Sequence, residues 1–485
     1  MINSPLFFSQ KLRQTESAAA GLSLMHRAGE ASASWILKHY PAAQIIYVLA
    51  GPGNNGGDAL ITASLLQQAG KTILLRLTSP SITADAKNAF AKWQATGGQT
   101  ILATPDHADL AIDGLFGLGL NRAPSEADGQ IMAGLQALGC PIIALDIPSG
   151  LMADSGAAPG AVIHATHTLS FISHKPGLFT ARGCDVCGEI SLHDLQIPAH
   201  LYPEADGYLQ NHAPVSVGQL LRRPDSHKGS YGTVGVMGGA SGMSGATLLA
   251  GRAALHIGAG RVVLGLLDKT LSADPVQPEL MLHSAEEALQ HPALSFMLTG
   301  PGLGNSAAAL ATLRQSIASP LALLLDADAL NLLAGSAELT AAMQERSSPS
   351  IITPHPAEAA RLLHTSTQAV QANRIESALT LAQRYKATVL LKGAGSVCSD
   401  GQSWSINASG NAALASAGQG DVLSGIIAAL AAQGLKPLDA VQSGCWLHGR
   451  AADDWRRAHP NGIGLTASET ISYARAALNQ VLGAY

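Results

Sequence analysis

Charge and aromatic rings are both scarce in this chain. Of its 485 residues, 13% are charged and 4% aromatic. With 47% hydrophobic residues, so little charge excludes an intrinsically disordered chain. Lys and Arg number 29 against 34 Asp and Glu, a net charge of −5, so the basic footprint of a nucleic-acid binder is missing. Only 5 cysteines occur, Cys140, Cys184, Cys187, Cys398 and Cys445, too few for a disulfide framework, and a reducing cytoplasm is the expected location. Cys184 and Cys187 form a lone C-x-x-C with no second ligand pair at zinc spacing, and are read as incidental. Long apolar runs are lacking too. PLALLLDADALNLLAG carries aspartates, so no membrane span is expected. MINSPLFFSQKLRQ places its apolar patch before Lys11 and Arg13, the wrong order for a secretory leader.

What is abundant is Ala, Gly and Leu, which suits layered α/β packing better than a β-sandwich. The length exceeds one ordinary domain. In the first half, ESAAAGLSLMHRAGEASASWILKHY reads as a single early helix. Strand-like QIIYVLA, KTILLRL, LAID, PIIALD and THTLSFISH then alternate with helical or turn segments, and DALITASLLQQAG is a helix closed by Gly70. The pattern lapses between about 197 and 226 and resumes with GTVGVMGG, RVVLGLL, FMLTG, LALLLDADAL, SIITPHP and TVLLKG. The expected organisation is a parallel-sheet α/β domain over 1–210 followed by a second α/β domain over 211–485.

Gly51, Gly53 and Gly56 satisfy G-x-G-x-x-G between a strand and a helix. A standard dinucleotide site also places an acidic residue at the end of the next strand. That strand ends LRLTSPS, with no Asp or Glu until Asp85, so a common dehydrogenase site is not expected. The loop instead carries Asn54, Asn55 and Asp58, and Asp58 is equally readable as a helix cap. Carboxyl ends of parallel strands share one crevice, which would gather Asn55, Asp113, Asp146 and Ser149. Such an oxygen-only set suits a hard cation rather than zinc or copper.

GPGNNGGDAL, IDGLFGLGL, LDIPSGL and SFISHKPGLF, in that order, resemble the N-terminal domain of the bifunctional NAD(P)H-hydrate repair enzymes over about residues 10 to 200. The resemblance implies a Rossmann-like epimerase that interconverts the R and S hydrates of NADH and NADPH (NADHX and NADPHX). It implies a substrate site lined by Asn54, Asn55, Gly56, Gly57 and Asp58 and by Gly117, Leu118, Gly119, Leu120, Asn121, Arg122 and Ala123. It also implies K+ on Asn55, Asp113 and Ser149, and Asp146 against the hydrated nicotinamide. Changing configuration at C6 needs reversible loss of the hydroxyl or ring opening, and both move a proton. Asp146 is the expected acid/base and Lys175 a second one, or else a solvated strand-end lysine.

In the second half, Gly238, Gly239, Gly242 and Gly245 follow a strand and precede ATLLAGRAALHIGAG. LTGPGLGN is another strand with a glycine turn, TPHPAEAARLL opens a helix, and LLKGAGSVCSDG places Lys392 just after a strand. ASAGQGDVLSGII then runs small residues and glycines up to Asp421 at a helix start. Several glycine turns, a lysine and a helix start form a nucleotide phosphate site, and no Walker A motif is present. The combination resembles the ribokinase-like superfamily, and within it the dehydratase half of the same repair enzymes, from about 215 to 480. The fusion would therefore carry a ribokinase-like α/β domain. By resemblance Gly418 to Asp421 form the anion hole, with Asp421 as base. Lys392, Gly393, Ala394, Gly395, Ser396 and Gly420 would contact the nucleotide. Ala246, Gly304, His355 and Asp421 would contact the hydrate, and Glu358 would order a Mg2+-bound water. One departure is Ala417-Gly418 where the family pattern has a glycine pair.

The expected function is epimerisation of both hydrates and dehydration of the S form, with ADP preferred to ATP as donor. The expected partners are small molecules only, with no nucleic acid or membrane, and the expected assembly is a homo-oligomer, a tetramer being one form. A ribokinase-like small-molecule kinase fused to a ligand-binding domain is the alternative enzyme, and a nucleotide sensor the non-catalytic one. Asp326, Asp328 and His227 are equally readable as caps or loop residues.

Overall fold

The computed structural model describes residues 3–483. They fall into two compact units, Ser4–Tyr208 and a second that begins at Leu209. The single early helix expected from the sequence is instead two, α1 (Ser9–Ala18) and α2 (Leu24–His39), with a 3-10 turn at Ala20–Leu22 between them. Ser23 sits at φ 52, a left-handed conformation that an α-helix cannot contain.

The first unit is built on an all-parallel sheet of β1 (Ile45–Ala50), β2 (Thr72–Leu77), β3 (Leu110–Gly114), β4 (Ile142–Leu145), β5 (His167–Phe171) and β6 (Glu189–His193). Their spatial order is β2-β1-β3-β4-β5-β6. Alternate residues of β1 enter different cores, Ile46, Val48 and Ala50 on one face and Tyr47 and Leu49 on the other. That is why the strand reads as a continuous apolar run. Chain order reverses between β1 and β3, and ligands of such sheets bind beyond the carboxyl ends at that reversal. The glycine loop and helix α3 (Asn54–Gln68) follow β1 there.

Glycine in this loop is demanded by contact. A Cβ on Gly56 would lie 1.8 Å from the Gly51 carbonyl oxygen, and one on Gly51 would lie 1.9 Å from that of Leu115. Gly53 faces open space. Replacing Gly56 by Ala is expected to destabilise the first unit by about 3 kcal/mol through backbone displacement. Thermal unfolding should show one transition lowered while dehydration of the S hydrate is retained; an unchanged melting profile would contradict the packing described.

The second unit's sheet contains β7 (Thr233–Gly238), β8 (Arg261–Leu266), β9 (Met281–Ser284), β10 (Phe296–Thr299), β11 (Ala322–Leu325), β12 (Ser350–Ile352), β13 (Thr388–Leu391), β14 (Val397–Ser399) and β15 (Trp404–Asn407). They run in the order β15-β14-β13-β12-β11-β10-β7-β8-β9. All neighbours are parallel except the β13–β14 and β14–β15 pairs. Here the order reverses between β7 and β10. Val234, Val236, Leu298, Leu324, Ile351 and Leu390 join the helices' apolar faces in one core. At the reversal the loops after β7 and β10 touch: Ala240 N–H donates to Gly302 O at 2.7 Å, and a Cβ on Gly238 would lie 2.0 Å from Pro301 O.

Candidate active sites

In the first unit, β4 and β5 both end in strained turns. Asp146 has φ 66 and Ile147 N–H donates back to Leu145 O at 2.8 Å. Ile172 has φ 68 and Ser173 N–H donates to Phe171 O at 2.7 Å. These are γ-turns, and a β-branched residue in this region is a true outlier. Strain of this kind costs about 1–3 kcal/mol per residue and persists where surrounding structure enforces it.

The two turns bring Asp146 and Lys175 together. Lys175 is fully buried, which excludes the solvated strand-end lysine. Its ammonium donates to Asp146 Oδ1, to Ser170 Oγ at 3.1 Å and to Phe171 O at 2.7 Å, which uses all three protons. Asp146 Oδ1 also accepts from Phe171 N–H at 3.3 Å. Asp146 Oδ2 accepts no hydrogen bond among the described residues and faces Gly117, where a Cβ would lie 3.6 Å away.

Asp58 is not a cap. Helix α3 begins at Asn54 with Gly53 as N-cap and no side-chain cap. Burial, then the charges of Asp146 and Glu16, push the Asp58 carboxyl well above its usual range. Glu16, which the sequence did not single out, is pushed up by burial and by Asp146. It lies on α1, which is pinned by Asp154 accepting from Ser9 N–H at 2.7 Å and Asp206 accepting from Phe8 N–H at 2.8 Å. Arg13 on α1 reaches Leu118 O at 3.4 Å, so α1 and the loop Leu118–Asn121 share a cleft. Gly119, Asn121, Arg122 and Ala123 are exposed in that loop, and Leu120 is partly so.

Asn55, Asp113 and Ser149 also converge. Asp113 is fully buried and accepts from Ser149 N–H at 2.8 Å, Ser149 O–H at 2.6 Å and Leu115 N–H at 3.2 Å. Burial nevertheless raises its pKa to about 6 against those bonds. Asn55 Nδ2 donates to Phe116 O at 2.8 Å, whereas its buried Oδ1 has no partner among the described residues.

In the second unit, helix α4 (Ser244–His256) follows β7, and α5 (Pro356–Leu363), α6 (Arg374–Tyr385), α7 (Gln419–Ala432) and α8 (Pro437–Ala458) follow later strands. Ala246 abuts the loop after β10, since a Cβ on Gly302 would lie 3.2 Å from its own. Gly304 N–H in that loop donates to Asp328 Oδ2 at 2.8 Å. Asp328 therefore anchors a glycine turn.

Lys392, after β13, donates to Asp326 Oδ1 at 2.7 Å and lies 3.9 Å from Glu358 Oε2. Asp326 is buried and its second oxygen accepts from Ser424 O–H on α7, so it joins the lysine to the helix and is no cap. Burial alone would lower Lys392, but Asp326, Glu358 and Asp421 outweigh it and hold the ammonium above its usual pKa. A Cβ on Gly420 would sit 3.4 Å from the Lys392 nitrogen, so the lysine lies at the start of α7.

Helix α7 starts after Gly418, at φ 84, and no side chain caps it. The Asp421 carboxylate accepts no hydrogen bond among the described residues. Burial and the negative charge of Asp326 raise its pKa to about 6, opposed by Lys392. Ala417 takes no left-handed backbone, so the missing glycine costs no strain. Behind the turn, buried His448 pairs with Gln419 Oε1 at 3.2 Å, and Gln419 Nε2 donates to Ser416 Oγ at 3.1 Å. Burial lowers His448 to about 4, so it is neutral.

His355 is the N-cap of α5: its Nδ1 accepts from Ala357 N–H at 3.1 Å, and Glu358 Oε2 accepts from His355 N–H at 2.7 Å. Burial, followed by Lys392, lowers His355, and burial raises Glu358 to about 7. The His355 side chain is half-exposed, and its Nε2 lies 3.2 Å from Glu358 Oε1. His227 caps a 3-10 turn, with its Nδ1 accepting from Gly229 N–H at 3.1 Å. Cys184 is exposed, whereas the buried Cys187 thiol is pushed far up by burial, so the pair is not poised for redox chemistry.

Two α/β sheets, each with a glycine loop at its order reversal and an aspartate–lysine cluster at the carboxyl ends of neighbouring strands, define a two-site α/β enzyme. A family model described as NAD(P)H-hydrate dehydratase matches residues 234–474, and one described as YjeF-related protein N-terminus matches 21–177. The bifunctional NAD(P)H-hydrate repair enzyme of Escherichia coli is 39% identical over 468 residues, covering 92% of this chain and 89% of that one. That of Coxiella burnetii is 35% identical, covering 98% of this chain and 99% of that one. A solved structure, the ADP/ATP-dependent NAD(P)H-hydrate dehydratase of Bacillus subtilis co-crystallised with ATP/Mg2+, is 27% identical with a TM-score of 0.49, covering 56% of this chain and 99% of that one. The chain belongs to the family of bifunctional NAD(P)H-hydrate repair enzymes, with an epimerase and a dehydratase domain in one polypeptide. No helix of the described residues is long and apolar enough to cross a membrane.

Proposed function

We propose that residues 1–210 epimerise NAD(P)H hydrates at Asp146 and that residues 211–485 dehydrate the S epimer at Asp421, with ADP as the phosphoryl donor. The observation that carries the first assignment is the unbonded Asp146 Oδ2 facing Gly117, with Oδ1 held by Lys175. A proton of the Lys175 ammonium reaches the C6 hydroxyl through the Asp146 carboxylate, the hydroxyl leaves as water, and the proton returns by the same route when water adds back to C6. The loops Asn54–Asp58 and Gly117–Ala123 line the hydrate. K+ fits beside them, because the orphaned Asn55 Oδ1 needs a partner and the set is oxygen-only. Asn55, Asp113 and Ser149 would hold it, and the ion would supply fixed positive charge near the dinucleotide.

The observation that carries the second assignment is a carboxylate with no hydrogen bond among the described residues, at an uncapped helix start beside Lys392. Asp421 takes the C6 hydroxyl proton as that oxygen attacks the β-phosphorus of ADP and AMP leaves. N–H groups of Gly418 to Asp421 hold the phosphoryl group in flight. The C6–O bond then breaks, phosphate departs with its electrons, and loss of a C5 proton restores the dihydronicotinamide double bond. Lys392 to Ser396 and Gly420 contact the nucleotide, and Ala246, Gly304 and His355 the hydrate. Mg2+ keeps most of its waters and binds through few carboxylates plus substrate phosphates, which suits the buried Glu358, since both oxygens of Asp326 are taken by Lys392 and Ser424. Glu358 would order a water of the ion, and the ion would neutralise charge on the phosphates.

A base with a pKa of about 6 fixes the pH dependence. Asp421 is ionised and competent above that value and protonated below it. kcat/KM for S-hydrate dehydration should therefore fall about tenfold per pH unit on the acid side. A profile flat between about pH 5 and about pH 8 would contradict the assignment.

A further inference from the structure

The loop proposed to hold the nucleotide is gripped from behind by a residue outside it. Arg374, the first residue of α6, is 1% exposed. Its Nη2 donates to the carbonyls of Leu391 at 3.2 Å, Lys392 at 3.2 Å and Gly395 at 3.5 Å, and its Nη1 donates to Gln371 Oε1 at 2.7 Å. In the same loop, Gly393 and Ala394 are exposed. Gly393 has φ 136, and a Cβ there would lie 2.9 Å from Arg374 Nη1. Guanidinium and glycine are thus fitted to each other.

Carbonyl oxygens repel phosphate and backbone N–H groups attract it, so a loop that receives an anion must turn its carbonyls away. Two carbonyls of this loop and that of Leu391 at the end of β13 converge on one buried cation. A cation at the N-terminus of α6 also opposes that helix's dipole, so the position is unfavourable for the helix by itself. We infer that Arg374 is a positioning residue for the nucleotide: it draws the carbonyls of Leu391, Lys392 and Gly395 inward and presents the opposite face of the loop to the phosphates of ADP. The inference rests on the nucleotide occupying Lys392 to Ser396.

The test is steady-state kinetics of Arg374→Lys in the full chain, with Gly393→Ala as a second probe that presses on the same guanidinium. A lysine keeps the charge but loses the planar fork. KM for ADP should rise about 10- to 100-fold, the loss expected when charged hydrogen bonds to the loop are broken. KM for the S hydrate should stay within about twofold, and epimerisation, measured on the same sample, should be unchanged. Gly393→Ala should give the same pattern. An unchanged KM for ADP in either variant overturns the inference. So does a parallel rise of both KM values with a lowered melting temperature, the mark of a merely structural arginine. Lys392→Met separates the two levels of the argument: if it leaves KM for ADP unchanged, the nucleotide assignment itself fails, whatever Arg374 does.

Discussion

Asp421→Asn should lower the rate of S-hydrate dehydration by about two to four powers of ten, the usual worth of a positioned general base. Epimerisation by the same chain should be untouched. The melting temperature is the second readout, and its direction separates the two roles open to an aspartate at a helix start. A capping carboxylate stabilises its helix by about 1 kcal/mol, so its loss lowers the melting point. Asp421 accepts no hydrogen bond among the described residues, and burial raises its pKa from 3.8 to about 6. Between those values the folded chain binds more protons than the unfolded one, so stability falls as pH rises through the window. At neutral pH the ionised side chain works against folding, and a neutral Asn should hold or raise the melting temperature. Activity lost with stability kept is the expected pattern; the reverse would make Asp421 a cap.

Asp146→Asn should reduce epimerisation by a comparable factor, about two to four powers of ten, and leave dehydration of purified S hydrate intact. Here stability does move. Lys175 is fully buried and would lose its countercharge, a change that costs about 3–5 kcal/mol when one partner of a buried pair is removed. The double variant Asp146→Asn/Lys175→Met replaces the pair with neutral groups and should recover much of that loss. It should not recover epimerisation. If activity returns along with stability, Asp146 serves only to neutralise the lysine.

Strand ends and glycine turns were legible in the sequence because a parallel sheet converts local signals into a shared place. QIIYVLA, LAID and PIIALD each announce a buried strand, and topology delivers Asn55, Asp113, Asp146 and Ser149 to one edge. What was illegible depends on partners far along the chain. Asp326 and Ser424 are 98 residues apart, and only the fold shows that they meet and that Asp326 holds Lys392. Arg374 opens a helix with no motif around it, yet it gathers the Lys392 loop. His448 looks like one more helix residue until its bond to Gln419 places it behind the Asp421 turn. Glu16 enters the first site only because two aspartates fix α1. The break at Ser23 was missed because apolar periodicity runs across it, and the short strands β14 and β15 carry too few residues for a pattern of their own.

Complementation in trans addresses the division of labour most directly. Supply purified R hydrate with ADP and Mg2+, and follow dihydronicotinamide absorbance above the spontaneous rate. Asp146→Asn alone cannot present the S epimer, and Asp421→Asn alone cannot dehydrate it, so each should be nearly silent. An equimolar mixture of the two variants should restore recovery of the dinucleotide. A mixture as silent as its components, or an Asp421→Asn chain that dehydrates unaided, would contradict the assignment of one reaction to each half.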